Sequence, residues 1–363
     1  MRLLVVDDSA LMRRCLRECF EGEADIEVRT ARDGKDALEQ VKSFDPDVIT
    51  LDINMPVMDG LTCLSHIMEE LPRPVVMVSS LTDTGALATF EALELGAVDY
   101  VTKPGGTVSL NLRAVFPDLI SKVRQASEAR SGHRPVSQRL RAQRLHAQAA
   151  RPARQAMTVA RAHGAVASAD LVLIGVSTGG PRTIEDVLVE LPKDFPAPIL
   201  VAQHMPARFT SVFAARLNER CEISVQEVVA PTPLEAGRVY VARGDADVTL
   251  SLRLNRLTAL STPADPKFPW HPSVSRMVAS AMAVVDPSRL IAVQLTGMGD
   301  DGANEITELR RQGGRTIAES EETAVIFGMP KEVISRGGAT RVLPAHKVAQ
   351  QLQGWIFEPP SRP

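Results

Sequence analysis

The stretch Leu173–Pro181, LIGVSTGGP, runs from an apolar segment through a lone serine into two glycines and a proline. Buried parallel strands read as short continuous apolar runs, and proline is favoured in the first turn of a helix. The stretch therefore predicts a strand, a sharp turn at Ser177 and a helix, the repeating unit of an α/β sheet. Gly175 to Gly179 fit G-x-S-x-G, in which small residues permit a turn tight enough to expose the serine hydroxyl. The same residues also fit a capped helix start or a phosphate loop, so other strand ends must decide.

A serine needs a base to take its proton. His204 follows the apolar run PILVAQ, 27 residues after Ser177, a spacing that suits a strand-helix-strand crossover. Of seven histidines, three (His133, His146, His163) lie in a low-apolar segment, and His66 and His346 read as helix-surface positions. His271 sits in the proline-bounded turn PWHPS, where packing is the expected role. A base in turn needs a carboxylate to orient it. After the strand IAVQLTG comes MGDDG, placing Asp300 and Asp301 on the same expected rim.

That last turn, Gly297 to Gly302, also fits G-x-G-x-x-G, with Glu319 about 20 residues on, as a dinucleotide site requires. Two aspartates facing a pyrophosphate argue against it. A nucleotide-binding module and a non-catalytic adaptor, in which Ser177 is only a cap, remain the alternatives at this point.

Upstream, LLVV, DVITL, PVVMVS and DYVT alternate with helical patterns up to about Gln125. Asp7, Asp8, Asp52, Ser79 and Lys103 all fall at strand ends, which in a doubly wound sheet share one rim. Crowded carboxylates call for a cation, and an oxygen-rich site suits Mg²⁺. With Lys103 and the metal balancing charge, one carboxylate becomes a phosphate acceptor. Between Ser121 and Ala165 stand ten Lys or Arg residues and one acid, Glu128, with almost no large apolar side chains. Such a segment buries too little to offset its ordering entropy and reads as a tether.

At 363 residues the chain suits two domains, and 44% hydrophobic with 23% charged residues is ordinary globular composition. A formal net charge of -3 gives no global attraction to nucleic acid or anionic membrane. Four cysteines without zinc spacing read as reduced thiols, Cys15 and Cys19 sharing a helix face. No apolar run approaches the ~18 residues that span a bilayer. A cytoplasmic monomer with no membrane insertion and no nucleic-acid partner is expected.

Two resemblances sharpen this. The N-terminal block, through VVDDS, LDINMPVMDG and TKPG, resembles the flavodoxin-like response-regulator receiver domain. The resemblance implies phosphorylation of Asp52, Mg²⁺ held by Asp7, Asp8, Asp52 and the Asn54 carbonyl, phosphoryl contacts from Ser79 and Lys103, an aromatic switch at Tyr100, and a cis peptide at Lys103-Pro104. The C-terminal block, through GVSTGGP, QHMP, LTGMGDDGA and FGMPKE, resembles the catalytic domain of the chemotaxis protein-glutamate methylesterase (CheB) family. That implies catalysis by Ser177, His204 and Asp301, with Thr178 and Met298 near the oxyanion.

The expected architecture is then a receiver (1–120), a basic linker (121–167), a second doubly wound, mostly parallel, Rossmann-like catalytic domain (168–356) and a tail (357–363). The implied activity is hydrolysis of glutamate methyl esters, and deamidation of glutamines, on chemoreceptor helices. Phosphorylation by the chemotaxis histidine kinase would activate it, with no cofactor for the ester chemistry itself.

Overall fold

Apolar runs at the predicted positions do form parallel strands in the computed structural model, which describes residues 1–80, 82–103, 108–128 and 169–357. Two units divide between Arg141 and Ala142.

In the first unit β1 (Arg2–Val6), β2 (Glu27–Ala31), β3 (Val48–Asp52), β4 (Val75–Ser80) and β5 (Asp99–Lys103) form one parallel sheet in the order β2-β1-β3-β4-β5. Helices α1 (Ala10–Phe20), α2 (Gly34–Phe44), α3 (Gly60–Glu70), α4 (Asp83–Leu95) and α5 (Val108–Glu128) connect or follow these strands. Side chains of Ser9, Asp33, Asp59 and Thr82 accept the first free amides of α1 to α4, which fixes where each helix begins. The chain order reverses between β1 and β3, so their carboxyl ends flank the crevice where this topology binds ligands.

Residues 121–128, assigned by composition to the linker, instead complete α5. Leu119, Val123 and Ala126 recur on one buried face, and Arg124 donates to Asp25, so local packing outweighs the segment's polar composition. Residues 129–168 and the tail from 358 lie outside the described residues.

In the second unit seven strands form an all-parallel sheet in the order β15-β14-β13-β6-β7-β10-β8. They are β6 (Leu171–Val176), β7 (Ile199–Gln203), β8 (Ser224–Val228), β10 (Arg238–Ala242), β13 (Leu290–Gln294), β14 (Arg315–Glu319) and β15 (Arg341–Leu343). The helices are α6 (Gly180–Leu188), α7 (Ala207–Arg220), α8 (Val274–Met282), α9 (Ala303–Arg311), α10 (Met329–Ser335) and α11 (Ala345–Phe357). β6 is buried along its whole length, and each large apolar side chain so placed contributes about 1.5–3 kcal/mol.

Outside this sheet, β11 (Ala246–Arg253) and β12 (Arg256–Pro263) form an antiparallel hairpin joined by β9 (Thr232–Pro233). Val248 and Leu250 of β11 share one buried cluster with Val274, Met277, Val278 and Ala281 of α8. The apolar runs did not indicate this hairpin.

All four cysteines are free; burial pushes the Cys19, Cys63 and Cys221 thiols up to about 12. Among the described residues no helix is long and apolar enough to cross a membrane.

Candidate active site

Strand order places the predicted trio together. The chain leaves β6 for β7 on one side and later returns to β13 on the other, so the crevice lies at the carboxyl ends of these three strands. Ser177 follows β6, His204 follows β7, and Asp301 closes the turn after β13.

The Ser177 turn is built by close approach. A Cβ on Gly175 would lie 2.5 Å from Val274 Cγ1, and Gly179, at φ +78°, leaves room only for Val325. Gly180 admits the Gln203 amide, whose Nε2 donates to the carbonyls of Ser177 and His204 at 3.0 and 3.1 Å. The Ser177 amide donates to Thr296 O at 2.9 Å, and Thr296 Oγ1 donates to Thr178 O at 2.9 Å. Thr296 N in turn donates to Glu319, so the serine turn rests on a buried polar ladder.

His204 Nε2 lies 2.9 Å from Asp301 Oδ2, the side chains 8% and 3% exposed. Nδ1 of the same ring is buried with no hydrogen-bond partner, so the bond to Ser177 Oγ is not made in this structure. Unliganded sites commonly leave that bond open until substrate enters. The indole of Trp270 stacks on the imidazole, centroids 6.0 Å apart and planes within 3°.

Asp301 accepts three further hydrogen bonds: Ser273 Oγ at 3.1 Å, Val274 N at 2.6 Å and Ser275 N at 2.9 Å, from the N-cap and first turn of α8. Burial pushes this carboxyl up, but the His204 bond, its charge and the two backbone amides outweigh it and hold Asp301 below its usual range. Asp300, the other candidate, is exposed and paired with Arg336 at 3.0 Å.

The remaining predicted residues separate. Thr178 is buried beside the serine, whereas Met298 is 37% exposed, on the rim and not in the core. His271 does more than pack: its Nδ1 lies 2.9 Å from Asp247 Oδ1. The described cis peptide is His271-Pro272; Pro104 is outside the described residues.

The dinucleotide alternative fails here. Glu319 is fully buried, accepting from Thr296 N and Thr323 Oγ1, each at 2.8 Å, and cannot reach a ribose. The glycines of the turn face protein, Gly297 against Met329 and Ser177, Gly299 against Trp270 and Gly302 against Val274. Phe327 to Met329 buttress the turn, Gly328 N and Met329 N both donating to Gly297 O.

In the first unit Asp7, Asp8 and Asp52 each offer an oxygen within 4.8 Å of one another, a donor set that fits a hard divalent cation. Lys103 Nζ lies 2.9 Å from Asp7 Oδ2 and 2.8 Å from Asp52 Oδ2. Burial lifts the Asp52 carboxyl, against the pull of Lys103; Lys103 itself is raised, Asp52 and Asp7 prevailing over burial. Asn54 is exposed beside this cluster in sequence. Ser79 Oγ donates to Gly85 O at 3.1 Å, and buried Tyr100 lies under Lys122 Nζ, 5.1 Å from its ring centroid.

What the sequence left unseen at the site is chiefly Trp270 and the Ser273–Ser275 donors. A serine directly before the apolar positions Val274, Met277, Val278 and Ala281 is a helix-start signature that would have placed α8 there.

Comparisons with known proteins show the family. Residues 172–352 match the CheB methylesterase family and residues 3–114 the response regulator receiver domain. The chain is 53% identical over 358 residues, 98% of this chain and 96% of the relative, to protein-glutamate methylesterase/protein-glutamine glutaminase 3 of Rhodospirillum rubrum. It is 52% identical, over 98% of both chains, to a protein of Rhodopseudomonas palustris named protein-glutamate methylesterase/protein-glutamine glutaminase 2. The crystal structure of the Thermotoga maritima CheB methylesterase catalytic domain aligns with a TM-score of 0.50 at 40% identity, covering 52% of this chain and all of that one. With a receiver domain ahead of a methylesterase domain, and relatives alike along nearly the whole length, the chain belongs to the CheB methylesterase family.

Proposed function

We propose that this chain is a phosphorylation-activated protein-glutamate methylesterase and protein-glutamine glutaminase that acts on chemoreceptor helices in the cytoplasm. The observation that carries the reading is the His204 ring, with Nε2 bonded to Asp301 and Nδ1 buried without a hydrogen-bond partner, on a residue whose main-chain amide bonds to Val176 O, one residue before Ser177.

With its proton on Nε2, donated to Asp301, the imidazole has Nδ1 free to accept. Ser177 Oγ attacks the ester carbonyl carbon while its proton passes to Nδ1, and the carbonyl π pair moves onto oxygen. Backbone amides at Thr178 and Met298 receive the developing oxyanion. Collapse restores the carbonyl, breaks the bond to methoxide and returns the Nδ1 proton to it as methanol. Water then attacks the acyl-serine, gives a proton to Nδ1 and frees the glutamate side chain, the proton returning to Ser177. A glutamine amide follows the same path with ammonia as leaving group. Asp301 stays ionised and stabilises the imidazolium.

On the receiver, Asp52 accepts a phosphoryl group from the chemotaxis histidine kinase. Asp7, Asp8, Asp52 and the Asn54 carbonyl would hold Mg²⁺, which offsets phosphoryl charge when bound. Lys103 and Ser79, its hydroxyl redirected from Gly85, contact the phosphoryl oxygens, and Tyr100 responds as the switch.

The test is methanol release from methylated receptor membranes with and without a small phosphodonor. Ser177→Ala is expected to abolish release while keeping phosphate uptake, and Asp52→Asn to keep basal release while losing activation. Normal release by Ser177→Ala would overturn the reading.

A further inference from the structure

Asp247 stands at the start of β11, outside the seven-stranded sheet, and is fully buried. Its Oδ1 accepts from His271 Nδ1 at 2.9 Å and from Ser273 N at 2.8 Å; its Oδ2 accepts from Arg276 Nη1 at 2.6 Å and Asp265 N at 3.0 Å. The segment it grips, residues 271–276, is the one whose Ser273 Oγ, Val274 N and Ser275 N bind Asp301. Two buried carboxylates thus hold one short strip of chain, Asp247 at residues 271, 273 and 276 and Asp301 at residues 273 to 275. Ser273 is the pivot, its amide on Asp247 and its hydroxyl on Asp301. The stacked Trp270 immediately precedes the strip.

A buried carboxylate is costly unless its oxygens are well supplied with donors and its charge is matched. Arg276 and His271 would meet that need if Asp247 served only to keep them neutralised in the fold. The bond to Ser273 N goes further, because it fixes the register at which the first turn of α8 meets Asp301. Displacing that turn by even a fraction of an ångström moves all three donors on Asp301, and with them the carboxylate that orients His204.

We infer that Asp247 is a positioning residue for the esterase reaction, setting the orientation of Asp301, and through it of His204, by way of the Ser273–Ser275 strip. The inference rests on the proposed roles of Ser177, His204 and Asp301. It ties turnover to the hairpin that the apolar pattern of the sequence leaves unannounced. Asp247 touches neither substrate nor the reacting atoms, so its effect falls on kcat and not on substrate binding.

The experiment uses the full chain. Steady-state methanol release from methylated receptor gives kcat and KM separately, and labelling by a small fluorophosphonate reports Ser177 activation without receptor docking. Asp247→Ala is expected to lower kcat and the labelling rate by about 10- to 100-fold, the usual cost of losing an orienting partner. KM is expected to stay within about two-fold, as for loss of an interaction made only in the transition state. Because Asp247→Ala leaves Arg276 without its carboxylate, Asp247→Ala/Arg276→Met is measured beside it, with circular dichroism as the check on folding. If Asp247 only neutralises Arg276, the double variant regains wild-type kcat, and the inference is overturned. If the double variant folds and kcat and labelling stay low, it stands. Ser177→Ala in the same assay keeps the two readings apart: an active Ser177→Ala would sink the proposed mechanism, whereas an inactive one beside a fully active Asp247→Ala would sink only this inference.

Discussion

Val176 and Gln203 are opposite partners in neighbouring parallel strands, so the next residue of each, Ser177 and His204, leaves the sheet side by side. The His204 amide donates to Val176 O at 3.1 Å, which carries the pairing one residue past the strand. Adjacent strands lie about 4.8 Å apart, so the main chain brings these two residues to neighbouring positions on one rim. The hydrogen-bond ladder of the sheet thereby sets the spacing of the two main-chain positions on which the proposed activation of Ser177 depends.

Asp301→Asn tests the orienting carboxylate. Both oxygens accept from fixed donors, Oδ1 from Ser273 Oγ and Ser275 N and Oδ2 from Val274 N and His204, so an amide nitrogen must oppose a donor in either orientation. If the amide nitrogen faces His204, Nε2 must accept and the ring proton moves to Nδ1, which can then no longer take the serine proton. The expected loss in kcat is about 10³- to 10⁴-fold with the fold retained, measured by methanol release and circular dichroism.

Gly297→Ala tests the glycine-rich turn. At φ +155° its added methyl would come within 2.5 Å of Met329 Sδ and 2.6 Å of Ser177 Cβ. Because Met329 is itself fully buried, the strain falls largely on Ser177, the proposed nucleophile. We expect destabilisation of about 1–3 kcal/mol in urea and a fall in kcat well beyond what that loss of folded protein explains. Wild-type turnover in Gly297→Ala would show that the turn has slack.

Glu319→Gln tests the buried ladder under the serine turn. Burial pushes this carboxyl from 4.5 up to about 7, against the bonds from Thr323 and Thr296 N. A raised value in the folded state means that the associated stability is complete below pH 4.5 and is lost as pH rises through about 7. Calorimetry between pH 4.5 and 8 should therefore show the catalytic unit losing stability with rising pH in the wild type and less steeply in Glu319→Gln. Identical slopes would place the titration elsewhere.

The strands that carry chemistry were legible because parallel strands covered on both faces must be continuously apolar, as LVLIGV and LIAVQ are. Strands that are partly solvated were not: β2, with Glu27 exposed and Arg29 on the sheet edge, and β8, at the far edge of the large sheet, lack such runs. The hairpin β11/β12 was hidden by its turn, where Leu254 and Asn255 take positive φ without a glycine. Ser177, His204 and Asp301 stood out because their side chains differ in kind from their surroundings. Two of the four Asp301 donors are main-chain amides, which every non-proline residue possesses, so no residue type could announce them. The end of the receiver was misjudged for a related reason: Arg124 looks like tether until Glu23 and Asp25 are brought to it by the fold.

The parallel stack of Trp270 on His204 has a practical consequence. Both tryptophans of the chain, Trp270 and Trp355, belong to the catalytic unit, and only Trp270 is stacked on the imidazole. An imidazolium quenches a neighbouring indole, so ultraviolet emission from the unlabelled enzyme is a built-in optical gauge of the charge on His204. Comparison with Trp270→Phe isolates that contribution, and stopped-flow recording then tests whether His204 gains and loses charge in the proposed acylation and deacylation.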